Sequence, residues 1–126
     1  GNEIIKMPDL REHNLGEAVG KSAEWVRANE QPAKTFDDRK FPSAESWREF
    51  WHRVKRAMDA VLADETETVV LFSHGMTLSV WQQIWNGLDI CPFEYLGHPG
   101  GVSFFRVSGD GTREILKLND STYMAD

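Results

Sequence analysis

The residue best placed for chemistry in this chain is His74. It follows the apolar run of residues 69–72, from which only Ser73 separates it, and directly precedes Gly75 and a segment with helical spacing. Open α/β sheets bind ligands beyond the carboxyl ends of their strands, and a helix start offers unpaired amides and partial positive charge that suit phosphate. Gly75 would let the backbone approach such an anion without a side chain in the way. A histidine there can also do no more than satisfy a local hydrogen bond.

Other chemistries fit the sequence less well. The nucleophile elbow of serine hydrolases needs a glycine two residues before the serine, and Leu71 stands there relative to Ser73. Cys91 precedes a proline in a loop without an evident base, so we interpret it as a structural thiol. The histidines at 13, 52, 74 and 98 are scattered and no cysteines are paired, which gives no metal-ligand spacing. We therefore expect neither a metal nor another cofactor.

Single charged side chains elsewhere carry little information by themselves. A lone Glu12 is most simply interpreted as a solvated carboxylate. Isolated arginines usually do not mark an anion site, although Arg11, Arg39 and Arg106 could each meet one.

The elements around His74 follow from hydrophobic periodicity. Residues 46–63 predict an amphipathic helix, with Ser46 and Glu49 at the spacing of a capping box. Residues 68–73 are typical of a strand buried on both faces. Helical spacing returns over residues 76–85, and Gly87 lies where a C-cap belongs.

The remaining segments complete an α/β pattern. Residues 3–7 predict a short strand, a helix begins near Val19 and ends before Pro32, and residues 29–42 resemble a surface loop or lid. Residues 102–107 and 114–118 flank a turn, which indicates a hairpin. We predict one α/β domain over residues 1–126, with helices packed on a mixed sheet.

Composition excludes several classes of protein. The chain is 40% hydrophobic, which is too apolar for a disordered tail, and its formal net charge of −6 argues against a nucleic-acid partner. Its longest apolar stretches are far too short to span a bilayer, so no membrane association is expected. The single cysteine cannot form an intrachain disulfide, which favours a cytoplasmic location.

Several of these segments together resemble the histidine phosphatase superfamily, whose members have the phosphoglycerate mutase-like fold. Residues 10–20, Leu-Arg-Glu-His-Asn-Leu-Gly-Glu-Ala-Val-Gly, are similar to its Leu-x-Glu…Gly…Gly segment. Residues 44–47, Ala-Glu-Ser-Trp, resemble the Gly-Glu-Ser lead into its long helix, with Ala44 in place of the usual glycine. Residues 69–75 resemble the strand that carries its second catalytic histidine, and residues 118–120 resemble the close of its last strand.

The resemblance implies a three-layer αβα fold and a division of catalytic labour. In this family a histidine of an Arg-His-Gly motif accepts the phosphoryl group, arginines hold its oxygens, and an acid protonates the leaving oxygen. The second histidine corresponds to His74 and the proton donor to Glu12.

The chain departs from the family at the nucleophile. No Arg-His-Gly occurs within these 126 residues, and a second arginine that holds the phosphoryl group is missing with it. The resemblance thus implies an N-terminally truncated sheet, half an active site and a pseudoenzyme as the chain stands. Because exposed sheet edges invite pairing, we expect a homodimer or an exchange of elements between copies.

Three functions stay open on the sequence. In the first, the chain is a histidine phosphatase fold that has lost activity or is a fragment of a complete enzyme. In the second, it is a non-catalytic module that binds a phosphorylated small molecule near His74. In the third, it is an interaction module that recruits another chain. The substrate of the ancestral reaction cannot be read from residues 29–42.

Overall fold

The computed structural model describes residues 3–92 and 94–124 of the single domain predicted over residues 1–126. Within them lie three α-helices and two β-strands, joined by loops and three short 3₁₀ turns. The helices are α1 (Ala23–Asn29), α2 (Trp47–Ala63) and α3 (Gly75–Trp85), and the strands are β1 (Val102–Val107) and β2 (Arg113–Asp120).

Helix α2 begins and packs as its sequence predicts. The Ser46 hydroxyl accepts a hydrogen bond from the Glu49 amide, and the Glu49 carboxylate accepts one from the Ser46 amide, which completes the capping box. The apolar face of the helix is buried through Phe50, Val54 and Met58. Each fully buried side chain of this size contributes about 1.5–3 kcal/mol of hydrophobic stabilisation.

Helix α3 packs against α2 to form the main core. Its buried apolar side chains are Val80, Trp81, Ile84 and Trp85, and Gly87 with φ 76° follows its C-terminus as predicted. The hairpin adds Phe105 and Ile115 to the edge of this core. A second, smaller cluster holds three buried residues with Trp25 and Val26 of α1 against them: Ala18, Phe41 and Ala44.

The predicted hairpin is confirmed. Strands β1 and β2 pair antiparallel, with Val107 opposite Arg113 and Phe105 opposite Ile115. The turn is closed by hydrogen bonds from the Ser108 amide to the Thr112 carbonyl and from the Gly111 amide to the Ser108 carbonyl, both 2.9 Å long.

Two of the strand predictions are wrong. Residues 3–7 and 68–73 are irregular, and in the second segment Val70 is 73% and Phe72 is 89% exposed rather than buried. A strand forms when a neighbour satisfies its backbone N–H and C=O groups, and no described residue pairs with either segment. The described sheet is therefore two-stranded and antiparallel, not mixed. The loop predicted over residues 29–42 is irregular and mostly exposed from residue 30 onward, whereas Asn29 is the last residue of α1.

Candidate active site

The carboxylate of Glu12 lies at the first turn of α3. Its Oε2 accepts a hydrogen bond from the Met76 amide at 3.1 Å, and its Oε1 accepts one from the Thr77 amide at 3.0 Å. The amide of His13 also donates to Oε1, at 3.1 Å. The Met76 and Thr77 amides are orphan donors of a helix N-terminus, where a negative charge is stabilised by the helix dipole. Glu12 is thus an acceptor that caps α3 from a distant part of the chain.

His74 is the N-cap residue of the same helix. It has extended backbone, its side chain makes no capping hydrogen bond, and its carbonyl accepts from the Leu78 amide at 2.9 Å. Both His74 and Gly75 are exposed. A Cβ on Gly75 would lie 3.6 Å from the Leu96 side chain, which is ordinary contact. The fold therefore brings His74 and Glu12, which are far apart in sequence, to one end of α3.

The amides at this helix end are less available to an anion than the sequence suggests. Two of the first three, those of Met76 and Thr77, already donate to Glu12. The Gly75 amide has no hydrogen-bond partner among the described residues. A phosphate approaching His74 would meet that amide and the Glu12 carboxylate together.

Two hydroxyl groups attach the loop before Glu12 to the start of α3. The Ser73 hydroxyl donates to the Leu10 carbonyl at 2.7 Å. The Thr77 hydroxyl lies 2.7 Å from the Arg11 carbonyl and 3.1 Å from Glu12 Oε1. Thr77 is fully buried, so these contacts are shielded from water.

The same loop is held from its other side by Arg53 of α2, which is only 4% exposed. Its Nη1 donates to the carbonyls of Asp9 and Arg11 at 2.8 and 2.9 Å, and its Nη2 donates to the carbonyl of Glu12 at 3.2 Å. Its Nε and Nη2 also form a bidentate pair with the Glu45 carboxylate at 2.7 and 2.8 Å. The planar guanidinium suits this multiple role because its donors point in fixed directions.

The Glu45 carboxyl is ionised in this environment. Burial acts to raise its pKa, but the hydrogen bonds from Arg53 and the Asn14 amide, with the charges of Arg53 and His13, outweigh it and lower the pKa below its usual value. The His13 ring lies beside this pair: its Nε2 is 2.9 Å from the Glu45 carbonyl oxygen, and it stacks on Phe50 with ring centroids 4.8 Å apart.

Comparison with known proteins identifies the family of this chain. The family model described as "Histidine phosphatase superfamily (branch 1)" matches residues 1–121. The chain belongs to this superfamily. Its α/β class agrees with the helices and hairpin of the described residues. Neither the curated proteins nor the solved structures gave a match.

Two other charged residues considered in the sequence, Arg39 and Arg106, form their hydrogen bonds and ion pairs with described residues other than Glu12 and His74. Arg39 donates to the Ala44 carbonyl and, at 2.5 Å, to Glu49 Oε1, while Arg106 pairs with Glu114 across the hairpin. Arg11 contributes its carbonyl to the site and its side chain is exposed.

The remaining histidines and the cysteine also lie outside the contacts around Glu12. His52 is exposed on α2, and His98 is exposed in a loop, where its amide donates to Asn119 Oδ1 at 2.9 Å. The Cys91 thiol donates to Gln83 Oε1 at 3.0 Å. The described residues contain no group of three or more His, Cys, Asp or Glu side chains arranged to hold a metal ion. None of the helices in residues 3–92 and 94–124 is long and apolar enough to cross a membrane.

Arg53, Glu45 and Thr77 belong to this site although their sequence pattern alone did not mark them as site residues. Arg53 carried a usable signal, because it lies three residues after Phe50 and four before Ala57, on the apolar face of α2. A charged residue on a buried helical face needs a partner. Glu45 belongs to the superfamily-like segment before α2, but its contact with Arg53 depends on the folded loop.

Proposed function

We propose that this chain provides the second-histidine and proton-donor half of a phosphomonoester hydrolase site, and that it does not turn over phosphomonoesters by itself. The observation that supports the proposal is the convergence of Glu12 and His74 on the start of α3, with the Glu12 carboxylate 3.0 Å from the Thr77 amide. The superfamily match makes phosphoryl chemistry the natural use of such a pair.

In the complete reaction the roles would divide as they do in the superfamily. A nucleophilic histidine of an Arg-His-Gly motif, supplied from outside these 126 residues, would take the phosphoryl group as the bond to the leaving oxygen breaks. His74 would contact the phosphoryl oxygens, Gly75 would leave room for them, and Glu12 would give its proton to the leaving oxygen. Water would then release phosphate from the histidine. The proposed complete fold is three-layered, αβα, with the missing strands beside residues 68–73.

The lack of an Arg-His-Gly motif within these 126 residues supports the absence of turnover in the isolated chain. Amide hydrogen bonds to both carboxylate oxygens orient Glu12 at the start of α3. An oriented acid without a nucleophile cannot take up a phosphoryl group. Activity would need the missing nucleophile.

Hydrolysis of an aryl phosphate tests this proposal. We expect the chain to release no more phenol than its His74→Ala variant, with His98→Ala as the matched control, because His98 is an exposed loop histidine whose amide bonds to Asn119. Turnover that is lost in His74→Ala but kept in His98→Ala would overturn the proposal, since His74 would then itself be acting as the nucleophile. Calorimetric titration with inorganic phosphate, which binds without turnover, provides a second test. Binding of phosphate without hydrolysis of the aryl phosphate would indicate a module that binds phosphorylated ligands.

A second candidate function is pairing with another chain, and uncovered apolar surface favours it. Val70 and Phe72 are exposed, as are Phe104 and Leu116 of the hairpin. We propose that a second copy covers this surface. Light scattering should give the mass of a dimer, and a monomer at micromolar concentration would count against it.

A further inference from the structure

The buried guanidinium of Arg53 has contacts that a purely structural salt bridge does not need. Its bidentate pair with Glu45 already neutralises its charge. Three further hydrogen bonds reach successive parts of one short segment, the carbonyls of Asp9, Arg11 and Glu12. That segment ends at the residue whose carboxylate caps α3.

We infer that Arg53, held by Glu45, is a positioning residue for Glu12. The backbone carbonyl of Glu12 is fixed on Arg53 while its carboxylate is fixed on the amides of Met76 and Thr77. With both ends held, the side chain spans the gap between α2 and α3 in one arrangement. The catalytic meaning of that arrangement rests on the proposed function, whereas the arrangement itself is measurable without it.

The geometry explains why lysine cannot take the place of Arg53. A lysine would keep the positive charge, but its single ammonium cannot reproduce the planar, multiply directed donors that contact Glu45 and three carbonyls together. The charge would remain neutralised by Glu45 while the backbone near Glu12 became free to move. Arg53→Lys therefore tests the positioning of Glu12 while the positive charge at position 53 is kept.

Amide hydrogen exchange measured by NMR tests the inference. In Arg53→Lys we expect exchange of the Met76 and Thr77 amides to rise about tenfold, the scale of losing one or two hydrogen bonds, with the amides of Trp81 and Ile84 unchanged. The control is Arg56→Lys, because Arg56 lies on the same helix and pairs with the side chain of Asp9 while exposed to solvent. It should leave all four amides unchanged.

A double variant shows whether Arg53 positions Glu12 or stabilises the whole of α3. In a Glu12→Ala background the cap is absent, so adding Arg53→Lys should produce no further change at Met76 and Thr77. Equal acceleration along the whole of α3, or a further change in the Glu12→Ala background, would make Arg53 a structural residue and overturn the inference. Unchanged exchange at Met76 and Thr77 in Arg53→Lys would overturn it as well.

If Arg53→Lys does not fold, as judged by circular dichroism, Glu45→Gln takes its place. This variant keeps the shape of the Arg53 partner but removes its charge, and we expect faster exchange at the same two amides only. Unchanged exchange there would contradict the inference. These measurements involve no phosphate ester, so the inference and the proposed function can fail separately.

Discussion

At the scale of single residues, the carboxylates of Glu12 and Glu45 are supported in different ways. Glu12 is held by amides of a helix N-terminus, whereas Glu45 is held by a full charge, that of Arg53. Removing one partner from a buried ion pair leaves the other charge uncompensated, which costs about 3–5 kcal/mol. Glu45 is therefore the residue of this region through which pH acts most directly on stability.

The first prediction concerns acid sensitivity. The folded-state pKa of Glu45 is lowered from its ordinary value of 4.5, against burial, by Arg53 and the Asn14 amide. The unfolded chain then binds the proton more readily, so the free energy of unfolding that Glu45 contributes is complete above pH 4.5 and is lost as pH falls through the folded-state pKa. Glu45→Gln should lower stability at neutral pH and flatten this loss.

Urea unfolding at a series of pH values provides the measurement for Glu45. The control is Glu65→Gln, an exposed position after α2. Part of the acid sensitivity should persist in Glu45→Gln, because the Thr122 hydroxyl and amide, with Lys117, lower the pKa of Asp120 to about 2. An unchanged pH dependence of stability in Glu45→Gln would show that the ion pair of Glu45 with Arg53 does not cause the acid sensitivity.

At the scale of elements, sequence predicts what is determined locally. The capping box of α2, the glycine after α3 and the hairpin turn each depend on residues within a few positions, and all three are found. The run 68–73 has strand composition, but a strand also needs neighbours, which local sequence cannot provide. The same limit applies to the site. The place of His74 in the sequence identifies it as a candidate site residue. The contact between Arg53 and the loop of Glu12, in contrast, exists only after α2 and α3 pack together.

The second prediction tests how the loop before α1 docks on the loop before α2. Gly16 has φ 56°, and a Cβ there would lie 2.4 Å from the backbone carbon of Ser43. Gly20 also has positive φ, 78°, but no atom lies within 4 Å of its Cβ position. Both alanine variants incur the cost of left-handed backbone, about 1–2 kcal/mol, and only Gly16→Ala adds a clash with backbone.

We expect Gly16→Ala to reduce the free energy of unfolding by about 1–3 kcal/mol more than Gly20→Ala, the usual cost of overpacking. Chemical denaturation of the two variants beside the unmodified chain gives the comparison. The clash would also disturb the neighbouring contacts of Glu17 with Ser43, whose amide donates to the Glu17 carboxylate at 2.9 Å. Equal losses in the two variants would show that the loops can separate at no cost.

At the scale of the whole molecule, the distribution of apolar surface is uneven. The faces of α2 and α3 that meet are buried, while the segment between these helices presents Val70 and Phe72 to solvent. Apolar side chains exposed singly are common, but neighbouring ones mark contact surfaces. The superfamily match covers this segment, so its strand-like composition belongs to the family pattern although no described residue pairs with it.

The third prediction follows from covering that surface with a second copy. A dimer that unfolds to monomers becomes more stable as concentration rises, and for a chain of this length a hundredfold rise should increase the melting temperature by about 5 °C. Phe72→Glu should remove this dependence, because burying an unpaired carboxylate in the interface is costly. Val19→Glu is the control: Val19 is equally an exposed apolar residue, but it follows Ala18 of the smaller cluster. A melting temperature independent of concentration in the unmodified chain would mean that the segment stays uncovered, and the covering partner would then have to be a different chain.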